Sequence, residues 1–181
     1  MLGFYTNFPK TIHKTASFST STSNKRIQQL LIETAFKLNN TTFQSEEIAT
    51  PSLRQCSIIF EFGIAEDNDF NYLDAQEKNT LLKTIKKKPL QIMDFLCIIR
   101  YYKTEQERKA ALRFDYYMLR FAFNKNLVEI QVFHEKGPMH MSPGELIEFV
   151  TNKINTTSPK KILKTSISPN WLSSSSRQPR S

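Results

Sequence analysis

The residues whose chemistry can be named most directly are two carboxylates in adjoining strand-like segments. Asp115 lies in ALRFDYYMLRFAFN and Glu129 lies in NLVEIQVFHEK. Carboxylates paired on neighbouring strands can hold the divalent metal that hydrolyses phosphodiesters. However, counting back from a hairpin between the two segments places Asp115 near His134 or Lys136, and Glu129 opposite about Phe121. The sequence therefore favours a cross-strand contact for Asp115 and leaves a metal-dependent nuclease as a second alternative.

Other enzymatic signatures are missing from the sequence. The four glycines stand singly, so no glycine-rich loop can cradle a phosphate. His13, His134 and His140 are scattered, and the one carboxylate close to any of them, Glu135 beside His134, would point to the opposite face of a strand. Cys56 and Cys97 both lie in apolar runs, which favours buried, reduced thiols. We expect no metal and no cofactor, and a protein that is not an enzyme.

Basic and aromatic side chains alternate along the same strand-like segments. An open sheet face that carries aromatic rings can stack unpaired bases, while neighbouring cations meet phosphates. The same pattern is typical of a purely structural sheet in which Arg100 and Arg120 pair with Asp94 or Asp115. The binding hypothesis predicts a site that comprises Arg100, Tyr102, Lys103, Arg113, Tyr117 and Arg120, together with Lys160, Lys161 and Lys164 near the end of the chain.

The positive charge is unevenly distributed along the chain. The formal net charge is +8, and residues 158–181 hold five lysines and arginines but no acidic residue. The rest of the chain therefore carries +3, and much of the attraction to a polyanion such as single-stranded nucleic acid would come from this segment. Its Ser, Pro and basic composition predicts a disordered tail. Its one tryptophan, Trp171, could instead dock on a larger protein assembly, which is the alternative function.

The pattern of secondary-structure elements that must position these residues indicates one α+β domain over residues 1–157. Three apolar segments at 90–103, 111–124 and 126–136 predict an antiparallel meander. Further strands are expected at 12–22 and 56–65, and helices near 24–39, near 71–87 and after Ser142, which begins a capping box with Glu145. The expected architecture is a two-layer domain of about five mainly antiparallel strands covered on one face by three helices.

Membrane and export signals are weak. No apolar run is long enough to span a bilayer, and the beginning of the chain lacks the apolar core of a secretory signal. A cytoplasmic location is therefore expected. Residues 1–32 contain no acidic residue and are rich in Ser and Thr, so import into an organelle is the minor alternative.

Overall fold

A computed structural model of the chain describes residues 1–48, 55–103 and 111–166. The strands are β1 (Lys14–Ser19), β2 (Thr42–Gln44), β3 (Cys56–Glu66), β4 (Asp69–Tyr72), β5 (Ile92–Lys103), β6 (Ala111–Asn124), β7 (Leu127–Lys136) and β8 (Lys164–Thr165). The helices are α1 (Asn24–Asn39), α2 (Ser45–Ile48), α3 (Ala75–Lys87) and α4 (Pro143–Asn155).

All eight strands form one antiparallel sheet. The order is β2-β3-β5-β6-β7-β1-β8, and β4 pairs with β3. The predicted mixed α and β architecture with an antiparallel sheet is confirmed, but the prediction of about five strands and three helices is wrong. Within the described residues there are eight strands and four helices. The missed elements are two to four residues long and polar, which is too short for an alternating pattern to be recognised.

The three longest predicted strands form the centre of the sheet as a meander. Strand β5 pairs with β6, and β6 pairs with β7 across a two-residue turn at Lys125 and Asn126. Asn126 has φ 60°, a left-handed conformation that asparagine tolerates better than most residues. The turn length sets the register, so Glu129 lies opposite Ala122 rather than Phe121.

One face of the sheet, which we call the inner face, packs against the helices. Val128, Ile130 and Val132 of β7 are fully buried on this face, whereas Glu129 and Gln131 between them are only half-buried. Helix α1 contributes residues such as Ile27 and Leu31 to the same hydrophobic core, and α3 and α4 contribute further ones. The helices therefore cover one layer of sheet, because each presents a single apolar stripe.

Helix ends follow the sequence signals closely. The side chain of Ser23 accepts a hydrogen bond from Arg26 N at the start of α1. At the start of α4, Ser142 and Glu145 form the predicted capping box around Pro143. Within the described ranges, none of the helices is long and apolar enough to cross a membrane.

The first residues of the chain fill a gap where β3 diverges from β5. Gly3 N donates to Ala65 O at 2.7 Å, and Asp94 N donates to Gly3 O at 2.7 Å. Gly3 has φ 85°, and a Cβ atom at this position would meet Ile92 O at 2.9 Å. Only glycine fits this position without strain. Residues 1–8 then continue across the opposite side of the sheet, which we call the outer face.

The chain that follows α4 belongs to the fold. Ile162 and Leu163 are buried, and the Asn155 side chain bonds to the backbone of both. Strand β8 then pairs with β1. The first part of the segment predicted as a tail therefore packs on the domain, because two apolar residues follow its lysines. The rest of that segment, residues 167–181 with Trp171, lies outside the described residues.

Candidate nucleic-acid interface

Asp115 is the centre of a buried polar cluster on the inner face. Its Oδ2 accepts hydrogen bonds from Tyr101 Oη at 2.7 Å and His140 N at 3.0 Å. Its Oδ1 accepts from Met139 N at 2.7 Å and lies 2.9 Å from His134 Nε2. The sequence predicted a contact of Asp115 with His134 or Lys136, and the contact is made by His134. These contacts fix the connection between β7 and α4, so the cluster has a clear structural role.

Gly137 allows the connection between β7 and α4 to approach the Asp115 carboxylate. Its φ is 115°, and a Cβ atom there would lie 2.2 Å from Phe114 O and 2.5 Å from Asp115 Oδ1. No other residue fits this position. The close approach brings the amides of Met139 and His140 into hydrogen-bonding distance of Asp115.

The buried tyrosines beside Asp115 remain neutral. Burial, with a smaller contribution from the hydrogen bond to Asp115, raises the pKa of Tyr101 well above its ordinary value. Burial likewise raises the pKa of Tyr117, and the neighbouring charge of Asp115 adds to the effect. Tyr117 donates its hydroxyl hydrogen bond to Met141 O. Both phenols therefore act as hydrogen-bond donors that hold the same connection in place.

The two carboxylates considered for a nuclease cannot act as a pair. Asp115 points to the inner face, since its cross-strand partner is the buried Ile99. Glu129 and its partner Ala122 are on the outer face, since the buried Val128 and Ile130 flank Glu129 in β7. Residues on opposite faces of a sheet cannot share a metal ion. In the parts of the chain that the structure describes, no group of three or more His, Cys, Asp or Glu residues could hold one.

A second buried charge pair lies under the outer face. Arg120 makes two hydrogen bonds of 2.8 Å to the fully buried carboxylate of Asp94. Tyr5 N donates to the same carboxylate at 2.8 Å. The guanidinium group also lies 4.2 Å from the ring centre of Phe8 and 5.1 Å from that of Phe4. Arg120 therefore anchors the N-terminal segment and is not available to a ligand.

Beyond this anchor, the outer face carries a row of aromatic rings that are partly accessible. Phe114 and Tyr116 lie two residues apart on β6, and Phe133 lies on β7. Phe114 is 36% exposed, and the other two rings are half-buried. Leu96 and Ile98 of β5 and Met118 of β6 form the apolar floor around the rings. We refer to Phe114, Tyr116 and Phe133 with this floor as the aromatic patch.

Each ring of the aromatic patch has a basic or imidazole neighbour. The Arg100 guanidinium lies 5.5 Å from the ring centre of Phe114, and Lys136 Nζ lies 4.4 Å from that of Tyr116. The ring of His13 stacks on Phe133 with centres 4.7 Å apart. Arg100 also forms an ion pair of 2.9 Å with Glu61. A cation over a ring face is the geometry of a cation–π contact, and rings with cations near them also occur where proteins bind unpaired nucleic acid.

The structure brings only some of the predicted site residues together. Arg100 and Tyr102 lie on the outer face, and Lys103 is exposed at the end of β5. Arg113 is exposed but belongs to the inner-face side of β6, opposite Tyr101. Tyr117 is fully buried, so its ring cannot stack on a base. Lys160, Lys161 and Lys164 are exposed after α4, near β1 and away from the aromatic patch.

The predicted binding site did not include the three rings of the aromatic patch. The sequence shows these rings and the neighbouring Lys136. Along β6, Phe114 and Tyr116 alternate with Asp115 and Tyr117. The signal that could have found them is this alternation, combined with the rule that a buried charge needs partners on the covered face. Asp115 in the same strand marks the inner face, so its direct neighbours Phe114 and Tyr116 belong to the other face.

Comparison with known proteins identifies no relative, because no protein family, no curated protein and no solved structure matches the chain.

Proposed function

We propose that this chain is a non-enzymatic protein that binds single-stranded nucleic acid through the aromatic patch on its outer face. The observation that carries the proposal is the pair of neighbouring contacts on β6, Arg100 with Phe114 and Lys136 with Tyr116. Residues two apart on a strand are separated by about 6.6 Å. Two such rings can therefore take two successive bases that have been splayed out of their stack.

The chemistry of the patch favours unpaired bases over a duplex. In a duplex the base faces are stacked on one another and are closed to a flat sheet surface, whereas single strands expose them. The neighbouring cations contribute an attraction to phosphates that does not depend on sequence. Lys103, at the end of β5, extends this positive charge beyond the rings.

The lysines after α4 supply a second source of affinity. Lys160, Lys161 and Lys164 are exposed, and the chain runs from them into the basic segment that ends at Arg180. They contact phosphates at most, because Phe18, the aromatic residue that lines the same groove as Lys161 and Lys164, is buried and cannot stack on a base. We therefore expect them to strengthen binding without adding a preference for single strands.

The test is a titration of the full chain against fluorescently labelled oligothymidylate and oligouridylate at low salt, followed by anisotropy. Tyr116→Ala and Phe114→Ala should each weaken binding by about 1–3 kcal/mol, or roughly 5- to 150-fold. The matched control is Tyr72→Ala. Tyr72 is a 52% exposed ring on β4, which does not adjoin β6. Affinity of the control variant should equal that of the parent.

A protein interface is the alternative function, and the apolar floor of the patch favours it. Leu96, Ile98 and Met118 are apolar side chains that a partner protein could cover. If the full chain shows no affinity for either oligonucleotide at low salt, the nucleic-acid proposal is wrong. Capture of a protein partner that is lost in Phe114→Ala but kept in Tyr72→Ala would then support the alternative.

A further inference from the structure

An open groove of about 940 Å³ lies between the first residues of the chain and the end of α3. Its third side is the connection from Lys88 to Gln91, which leads from α3 into β5. The volume falls within the range of about 300–1,000 Å³ that small-molecule pockets occupy. No residue of the aromatic patch lines the groove, so the two surfaces are separate.

The groove is held open by hydrogen bonds and close packing around Leu90. The side chain of the buried Gln28 accepts a hydrogen bond from Leu90 N at 2.9 Å and donates one to Leu90 O at 2.7 Å. Gly3 packs against the same residue, since a Cβ atom at Gly3 would lie 2.9 Å from Leu90 Cδ1. Leu90 is therefore fixed by both α1 and the N-terminal segment, and the groove is formed before any ligand arrives.

One side of the groove is apolar. Its lining includes Leu2 and Phe4 of the N-terminal segment, Leu90, and Ile92 at the start of β5, and all four side chains are only half-buried. Apolar side chains that stay partly in contact with water gain free energy when a ligand covers them. This side of the groove is therefore suited to the apolar part of a ligand.

The helix side of the groove is cationic. It is lined by Thr80, Lys83, Thr84 and Lys87, whose spacing of three and four residues puts them on one face of α3, and by Lys88. No acidic residue lines the groove. Within the described parts of the chain, no carboxylate forms an ion pair with these three lysines. The positive charge on this side is therefore not compensated by the protein.

The helix dipole explains only part of this charge. Lysines in the last turn of a helix interact favourably with its C-terminal end, and Lys86 and Lys87 lie there. Lys83 lies one turn earlier and faces the groove. The lysines that line the groove thus share their position beside its apolar side and not only their position near the helix end.

We propose that this groove binds a long-chain carboxylate, with the alkyl chain on the apolar side and the carboxylate on the lysines. Charge complementarity determines the head group, because lysine ammonium groups on flexible stems fit a compact anion. A singly charged carboxylate suits the site better than a phosphate, since Lys87 and Lys88 are at the C-terminal end of α3, where the helix dipole opposes negative charge. The proposal does not depend on nucleic-acid binding, because the aromatic patch contributes nothing to the groove.

The test is calorimetric titration of the full chain with dodecanoate below its micellar concentration. We expect binding at a single site, with an affinity that rises by up to about fourfold for each CH₂ group added between octanoate and dodecanoate. Acetate should not bind, because it lacks the alkyl chain. Dodecyltrimethylammonium should not bind either, because it has the same chain with the opposite charge. Equal binding of dodecanoate and dodecyltrimethylammonium would overturn the proposal.

Matched variants show whether dodecanoate occupies this groove. Lys83→Gln combined with Lys87→Gln should weaken binding at least about tenfold, as expected for the loss of a charge-assisted hydrogen bond. Lys86→Gln combined with Lys161→Gln is the control, because it removes the same charge from exposed positions that do not line the groove. The control should bind dodecanoate as the parent does.

Three results would contradict the proposal. The first is a variant of Lys83 and Lys87 that binds dodecanoate as the parent does. The second is an equal loss of affinity in the control variant, which would indicate a general effect of net charge. The third is displacement of dodecanoate by oligothymidylate, which would assign the lysines to a nucleic-acid surface.

Discussion

His134 Nε2 lies 2.9 Å from Oδ1 of the fully buried Asp115, and this contact joins the end of β7 to the middle strand of the sheet. Three further donors complete the shell of the carboxylate: Tyr101 Oη and the amides of Met139 and His140. A buried carboxylate persists only when its oxygens are satisfied in this way. The carboxylate therefore holds together three parts of the chain that are distant in sequence.

Asp115→Asn should lower the free energy of unfolding by about 1–3 kcal/mol. The NH2 group of the asparagine side chain would replace one carboxylate oxygen, and it cannot accept the hydrogen bonds that this oxygen accepts. Denaturant unfolding followed by circular dichroism measures the change. Glu135→Gln is the control, since Glu135 is exposed on β7 and its substitution should cost no more than about 0.5 kcal/mol. Equal stability of the two variants would show that the cluster does not contribute to the fold.

The buried tyrosines predict a loss of stability at alkaline pH. Burial raises the pKa of Tyr101 and Tyr117 above the value of about 10 in an unfolded chain. Above that pH the unfolded chain has released phenolic protons that the folded protein retains. Stability is therefore fully present below about pH 10 and decreases as pH rises further.

Phenolate absorbance should show two of the six tyrosines ionising only as the protein unfolds, and Tyr117→Phe should remove part of this late step. Ionisation of all six with the fold intact would contradict the prediction.

Two arginine ion pairs on the outer face should differ in their contribution to stability. Arg120→Met leaves the buried carboxylate of Asp94 without its charge partner and should cost about 3–5 kcal/mol. Arg100→Met breaks a partly exposed pair with Glu61 and should cost about 0–1 kcal/mol. Thermal and denaturant unfolding of the two matched variants measures both values. A stability for Arg120→Met close to that of Arg100→Met would mean that the N-terminal segment is not anchored through Asp94.

Leu163→Ala tests whether the chain after α4 belongs to the domain. Leu163 is 2% exposed and packs in the core, so its truncation should cost about 2–5 kcal/mol. Lys161→Ala is the neighbouring control, because this side chain is exposed and its loss should cost no more than about 0.5 kcal/mol. If the two variants unfolded at the same midpoint, the chain after residue 157 would not contribute to the stability of the domain.

The salt dependence of nucleic-acid binding tests the role of Lys136. For single strands, the slope of log K against log salt changes by about 0.7 for each phosphate contact. Lys136→Ala should reduce the slope by about this amount. Lys78→Ala is a close control, because Lys78 Nζ lies 4.3 Å from the ring centre of Phe36 on the helix side, much as Lys136 lies over Tyr116. A change in slope of the same size in both variants would argue against a localised patch.

Patterns among residues close in sequence predicted the parts of the fold that are determined by interactions between such residues. The alternation of Val128, Ile130 and Val132 with polar residues correctly identified a strand and its buried face, because β7 is buried on one side only. The capping box at Ser142 and Glu145 correctly located the start of α4, because its hydrogen bonds are made within four residues. Strand β4 was missed, and its last residues were assigned to the start of the helix predicted near 71–87, because its pairing with β3 depends on the edge that β3 offers and not on its own composition.

The candidate site was harder to predict, because β6 carries large side chains on both faces. Tyr116 and Tyr117 are adjacent and chemically identical, yet one has an accessible ring and the other is 0% exposed. Periodicity separates their faces but does not say which face the helices cover. The predicted surface therefore combined residues from both faces, and Arg113 and Tyr117 were grouped with Arg100.

The position of the first residues has a consequence for how the chain folds. Gly3 joins β3 to β5, and the contacts of Tyr5 with Asp94 and Arg120 span 89 and 115 residues of sequence. Residues 3–5 can therefore make the full set of these contacts only after β6 has been made and paired. Contacts of such high sequence separation form slowly, because loop closure must occur before they stabilise anything. Until then the gap between β3 and β5 exposes strand edges, and we expect the nascent chain to be most prone to aggregation during that interval.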